Sequence, residues 1–139
     1  MRKTAWIACI VLLLLTLTSC GNSVSEDSDP LDGTSWELFA YRKSKPILGT
    51  IFTAAFEDGE IIGTGGCNFY RGTYRINGVD ITIADIQLTT KGCLEPEGVM
   101  EQELFLVQFL GDAQTYSFED ERLLMVRADG EALTFDPME

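Results

Sequence analysis

Most of the chain is written in short runs that alternate apolar and polar residues. That period of two predicts strands. Trp36, Leu38 and Ala40 alternate with Glu37 and Phe39 in the first run, which reaches about Tyr41. Residues 51–56 and 61–65 form the next two runs, joined across Glu57-Asp58-Gly59-Glu60. Asp-Gly tolerates the positive φ that tight hairpins demand. Residues 69–76 and 79–84 form another pair around Asn77-Gly78, a turn of the same chemistry. Residues 86–90 read as a further short strand after a bend at Asp85. Three more strands close the chain at 114–118, 123–127 and 133–135, with turns at Glu119-Asp120-Glu121 and Ala128-Asp129-Gly130.

One window breaks the alternation. Residues 97–110 are good helix formers, and Met100, Leu104 and Val107 recur at the spacing of one helix face. Pro96 suits the first turn, and Glu97, Glu101 and Glu103 suit the positive N-terminal end. Gly111 suits the stop. Phe105 and Phe109 widen the apolar arc, so the helix is expected to plug the core. The fold class predicted is α+β: a strongly curved, barrel-like antiparallel sheet of about eight strands with one α-helix.

The start of the chain follows neither period. Met1-Arg2-Lys3 is a short basic segment, and residues 5–17 are apolar apart from Thr16. That run falls short of the roughly 20 residues a spanning helix needs and fits the apolar region of a signal peptide. It ends in Leu17-Thr18-Ser19-Cys20, which resembles the lipobox of bacterial lipoproteins. The resemblance implies cleavage before Cys20 and a diacylglycerol on its sulfur. An ordinary secretory signal with an incidental cysteine is the alternative. Residues 1–19 are thus expected to be a lipoprotein signal peptide, 20–30 the lipidated cysteine with a flexible tether, and 31–137 one domain. Residues 21–29 hold a single apolar residue and three acids, as a solvated tether should. Gly21 stands where an aspartate would resemble an inner-membrane retention signal. An extracytoplasmic, lipid-anchored location is expected, at the outer membrane if the source is Gram-negative.

Charge narrows the partners. Acids outnumber Lys and Arg by 22 to 10, a net charge of −12, and loss of Arg2 and Lys3 with the leader makes it −14. Such a chain lacks the clustered cations that nucleic acid requires. It is also ill suited to anionic lipid head groups. The charge favours solubility and a monomer, with a basic partner or ligand as the alternative. The chain has no histidine. That removes Ser-His and Cys-His nucleophile systems and every His-ligated metal site. No metal and no cofactor is expected.

Cys67 and Cys93 are the cysteines that remain once Cys9 leaves with the leader and Cys20 is lipidated. In an exported domain they read as a disulfide, worth roughly 3.5 kcal/mol by the chain-entropy estimate. Two buried thiols or a redox site are the alternatives. A redox pair usually sits in Cys-x-x-Cys beside a helix start, and these two do not. Gly63, Gly65 and Gly66 lack the following helix of a phosphate loop and read as a strand bend. Trp36, Asn68, Tyr70, Arg71, Tyr74 and Lys91 form a possible binding surface. Aromatics on strands are more often core, and lone cations more often form surface ion pairs, which are the alternatives here.

With those residues in hand, the chain resembles the META domain family, whose bacterial members include HslJ-like heat-shock lipoproteins. The likeness covers about residues 31–135. It rests on Leu31-Asp32-Gly33-Thr34-Ser35-Trp36, on Gly65-Gly66-Cys67-Asn68-Phe69-Tyr70-Arg71-Gly72-Thr73-Tyr74, on Thr89-Thr90-Lys91-Gly92-Cys93 and on Val99-Met100-Glu101-Gln102-Glu103. It departs at Leu94-Glu95-Pro96, where many members place proline sooner. The resemblance implies a curved antiparallel sheet with a helix and supplies no catalytic residues. It also implies an association with heat stress and antibiotic tolerance. The expected role is a non-enzymatic binding or interaction module in envelope stress response. Its partners would be the membrane, through the lipid on Cys20, and an unknown envelope protein or ligand. A small carboxylate-dependent hydrolase acting on envelope glycans is the alternative, and it needs two acids about 5–10 Å apart.

Overall fold

The computed structural model describes residues 28–139. The expected leader, the lipidation site Cys20 and the tether up to residue 27 lie outside the described residues. In chain order come β1 (Thr34–Tyr41), β2 (Thr53–Glu57), β3 (Glu60–Thr64), β4 (Phe69–Asn77) and β5 (Asp80–Leu88). The helix α1 (Val99–Asp112) follows, then β6 (Ala113–Glu119), β7 (Arg122–Arg127) and β8 (Ala132–Pro137). Each strand pairs antiparallel with the next, and β8 returns to β1, so the sheet closes into a barrel. Trp36 marks the seam, opposite Ala54 on β2 and Pro137 on β8.

The hairpins follow from their turn residues. Asp58 and Gly59 both have positive φ (51° and 79°), which matches the twist of the flanking strands. The next loop is Gly78-Val79, one residue later than the sequence suggests. Asn77 stays in β4 opposite Asp80, and Gly78 carries the positive φ of 63°. The break expected at Asp85 is instead a bulge inside one strand. Asp85 takes φ 55°, and the pairing of β4 with β5 shifts register between Arg71 and Thr73. A bulge bends a strand while keeping its neighbour, so the two predicted strands merge into β5.

Alternation decides what fills the barrel. On β4, Tyr70, Gly72 and Tyr74 point inward while Phe69, Arg71, Thr73 and Arg75 point out. The Phe52 ring stacks on Tyr70 at 5.5 Å, and Phe56 meets Tyr74 edge-on at 4.9 Å. Phe109 of the helix is buried in the same cluster.

In an up-and-down barrel, alternate connections share an end. One end gathers the turns at 58–59, 78–79 and 120–121 and the incoming segment 29–33. Leu31 plugs it and is fully buried. Its N–H donates to Asp29 Oδ1 at 2.8 Å, and the Tyr74 hydroxyl donates to Asp29 Oδ2 at 2.7 Å. The other end gathers the loops 42–52, 65–68, 89–98 and 128–131, and α1 lies among them. Arg42 sits over the Phe105 ring at 4.0 Å and Arg127 over Phe109 at 4.7 Å.

The helix departs from its expected face. Its buried side is Val99, Gln102, Glu103, Leu106, Val107, Phe109 and Leu110, while Leu104 is 56% exposed. Hydrophobicity alone counts Leu104 inward and Glu103 outward. The loops at this end reverse that, because they supply partners for buried polar groups. The helix also begins later than residue 97. Pro96 lies in the preceding turn, and Gly98 at φ 83° sets the chain's direction into Val99. Gly111 does not end it: the helix runs to Asp112 and stops as Ala113 turns extended.

Candidate functional site

Two adjacent helix residues organise the loops of the helix end. Glu103 is only 2% exposed. Its Oε2 accepts the backbone N–H of Cys67 (3.1 Å) and of Asn68 (2.6 Å), and its Oε1 accepts Asn68 Nδ2–H (2.7 Å). A carboxylate offers only acceptors, and three N–H donors converge on this one. Asn68 passes the connection on. Its Oδ1 accepts the Lys91 N–H at 2.6 Å and the Thr89 hydroxyl at 2.9 Å, and its Nδ2 also donates to the Lys91 carbonyl at 3.1 Å. Gln102 does the same for the loop after β1. Its Oε1 accepts the Ile47 N–H (2.7 Å) and the Tyr41 hydroxyl (3.3 Å), and its Nε2 donates to Thr50 Oγ1 (2.9 Å). Among the described residues no buried side-chain polar atom lacks a partner. A fully satisfied network of this kind makes its members rigid.

The expected pair Cys67 and Cys93 is a disulfide, with Cα atoms 6.0 Å apart. It ties loop 65–68 to loop 89–98 covalently, beside the hydrogen bonds that tie them through Asn68. Gly65 shows how tightly the carboxylate is seated. A Cβ on Gly65 would collide with the Glu103 carboxyl group. The glycine run is therefore a bend, as its sequence suggests, and Gly65 is also the space into which Glu103 fits.

Beside this lattice lies an open groove of about 540 Å³, between the segment 88–92 and the first half of α1. Leu88, Met100 and Leu104 give it apolar walls, and Asn68, Lys91 and Glu101 give it polar ones. Leu104 at 56%, Phe69 at 64% and Leu94 at 92% exposure lie on the elements around it.

The six residues of the expected binding surface do not come together. Trp36, Tyr70 and Tyr74 are buried in the barrel and offer no face to a ligand. The Trp36 indole N–H donates to Thr34 Oγ1 (2.8 Å), and the Tyr70 hydroxyl to the Thr53 carbonyl (2.6 Å). Burial pushes both Tyr70 and Tyr74 well above the usual phenol range. The Asp29 carboxylate, bonded to Tyr74, adds to the shift there. Arg71 lies on the outside of β4, within 3.9 Å of Glu60. Only Asn68 and Lys91 are joined, through the Lys91 backbone. Gln102 and Glu103 were not singled out as site residues by sequence reasoning. Their signal was indirect: Glu101, Gln102 and Glu103 are three consecutive polar residues near the start of the helix, an arc too wide to lie wholly on the solvent face. Among the described residues, no group of three or more acids or cysteines is placed to hold a metal ion.

These features define a class: a small closed antiparallel barrel with one helix at an end and a disulfide beside it. The META domain model matches residues 29–139, and the chain belongs to that family. No curated protein matches it. Among solved structures it is similar to a protein from Burkholderia xenovorans, with a TM-score of 0.67 and 23% identity over 78% of this chain and 83% of that one. It is also similar to a DUF4847 family protein from Bacteroides vulgatus, with a TM-score of 0.55 and 15% identity over 77% of this chain and 94% of that one. At these identities the likeness concerns the fold.

Proposed function

We propose that this META-domain protein is a lipid-anchored, extracytoplasmic binding module that acts without catalysis in the envelope's response to stress. One observation carries the binding role. The buried polar side chains Asn68, Gln102 and Glu103 are consumed in fixing loops, and the fixed loops with α1 frame an open groove whose walls are partly apolar. A rigid frame lowers the entropic cost of taking up a partner. The lipobox-like Leu17-Thr18-Ser19-Cys20 supports the anchor, and the disulfide supports an oxidising compartment. The stress role rests on the family resemblance.

Two measurements test this reading. The intact mass of protein purified from membranes should show acylation at Cys20, with Cys67 and Cys93 alkylated only after reduction. An unlipidated mass with two free thiols contradicts the anchor and the compartment. A photo-crosslinker placed at Leu104 should capture the same envelope partner repeatedly, in unstressed and heated cells. No reproducible partner from that position contradicts the binding role.

A further inference from the structure

The groove has a backbone wall as well as side chains. The Thr89 N–H donates to the Phe69 carbonyl at 3.0 Å. The Lys91 N–H and carbonyl are both taken by the Asn68 side chain, at 2.6 and 3.1 Å. In an extended segment, successive residues turn their N–H and C=O to opposite sides. Leu88, Thr90 and Gly92 therefore turn theirs away from β4, to the side where the groove lies. There β5 has lost its neighbour: it pairs with β6 only at Asp80 opposite Thr115, near its start. Among the described residues no hydrogen bond meets the backbone of Thr90 or Gly92. An unpaired extended edge is a template for another strand.

The surroundings select what that strand carries. Glu101 lines the groove, the exposed acids Glu95 and Glu97 lie on the connection between its two walls, and between residues 85 and 104 Lys91 is the one cation. We propose that this edge and groove bind an extended, basic peptide segment of another envelope protein. The segment adds as a strand along residues 88–92 and sets one apolar side chain between Leu88, Met100 and Leu104. Its flanking Lys or Arg residues face the acids. A second copy of this chain fits less well, because it brings the same excess of acids to the contact. The inference rests on the reading of the domain as a binding module and names the chemistry of its partner.

The test uses the full chain purified from membranes and a fluorescein-labelled peptide of alternating Lys and Val, followed by fluorescence anisotropy. Saturable binding is expected. It should weaken at least about tenfold when alternate peptide nitrogens are methylated, which removes strand donors. A similar loss is expected in T90P and in L104K. T90P deletes an N–H that no group of the described protein accepts, and position 104 is exposed, so Tm should hold in both. The methylated peptide keeps the test decisive even if a variant folds poorly. Unchanged binding after methylation overturns strand addition, and equal binding of a Glu-Val peptide overturns the basic preference. Self-association in sedimentation that T90P abolishes gives the edge to a second copy and overturns the proposal. If crosslinking from Leu104 still captures an envelope partner while every peptide fails, this inference falls and the binding role stands. If crosslinking also fails, the binding role itself falls.

Discussion

The two ends of the barrel are closed with different chemistry. At the end where segment 29–33 enters, a single apolar side chain, Leu31, is driven into the core, and Asp29 caps it. At the helix end, Gln102, Glu103 and Asn68 are buried, and a disulfide runs beside them. An apolar plug holds by area and is indifferent to direction. A buried polar lattice costs desolvation unless every member is paired, and once paired it permits only one arrangement. The first end needs only to be shut. The second fixes three loops relative to one another, and the groove lies there.

Substitutions should expose that contrast. The largest effect is expected from Glu103→Ala, which leaves the Cys67 and Asn68 amides and Asn68 Nδ2 without their shared acceptor. A loss of about 4 kcal/mol in urea unfolding is expected, together with faster reduction of the disulfide. Leu31→Ala should cost about 3 kcal/mol by cavity formation and leave the disulfide's reduction rate in the native state unchanged. Equal effects of both on reduction would erase the distinction between the ends. Gly65→Ala drives a methyl group into the Glu103 carboxyl group and should cost about 2 kcal/mol, with the strain read as shifts of the 65–68 amide resonances.

The smallest effect at neutral pH, and one confined to alkali, comes from the tyrosines. Burial raises the Tyr70 and Tyr74 phenols in the folded state above their unfolded value of about 10. The folded state thus holds protons that the unfolded state releases. Their contribution to stability should be level below pH about 10 and fall as pH rises beyond it. Absorbance at 295 nm during an alkaline titration should show these phenols ionising only as the barrel unfolds. Tyr74→Phe should also lose the hydrogen bond to Asp29 and loosen the plugged end alone.

Much of the fold was legible because it is local. Alternation located the strands, and Asp58-Gly59 announced its hairpin through the φ values those residues tolerate. The helix could be read for similar reasons, whereas the cysteine pair, 26 residues apart, was legible from its number and its expected compartment. What could not be read depends on contacts far along the chain. Periodicity put Leu104 inside and left Glu103 on the surface, because it weighs side chains by polarity and cannot see donors arriving from residues 67 and 68. The surface imagined from Trp36, Tyr70 and Tyr74 failed for the opposite reason. Aromatic residues on inward strand positions fill a closed barrel, and closure is a property of all eight strands. Gly65 was visible as a bend. Its second role, making room for a carboxyl group, appears only when the helix is in place.

The central claim is that Glu103 makes loop 65–68 as rigid as the barrel. Amide hydrogen exchange of the intact protein tests it most directly. Loop amides ordinarily exchange through small local openings. The account predicts that the Cys67 and Asn68 amides exchange as slowly as Tyr74 in β4, through global unfolding. Exchange as fast as that of the unbonded Thr90 and Gly92 amides would contradict it. The lattice at the helix end would then be no frame for a partner.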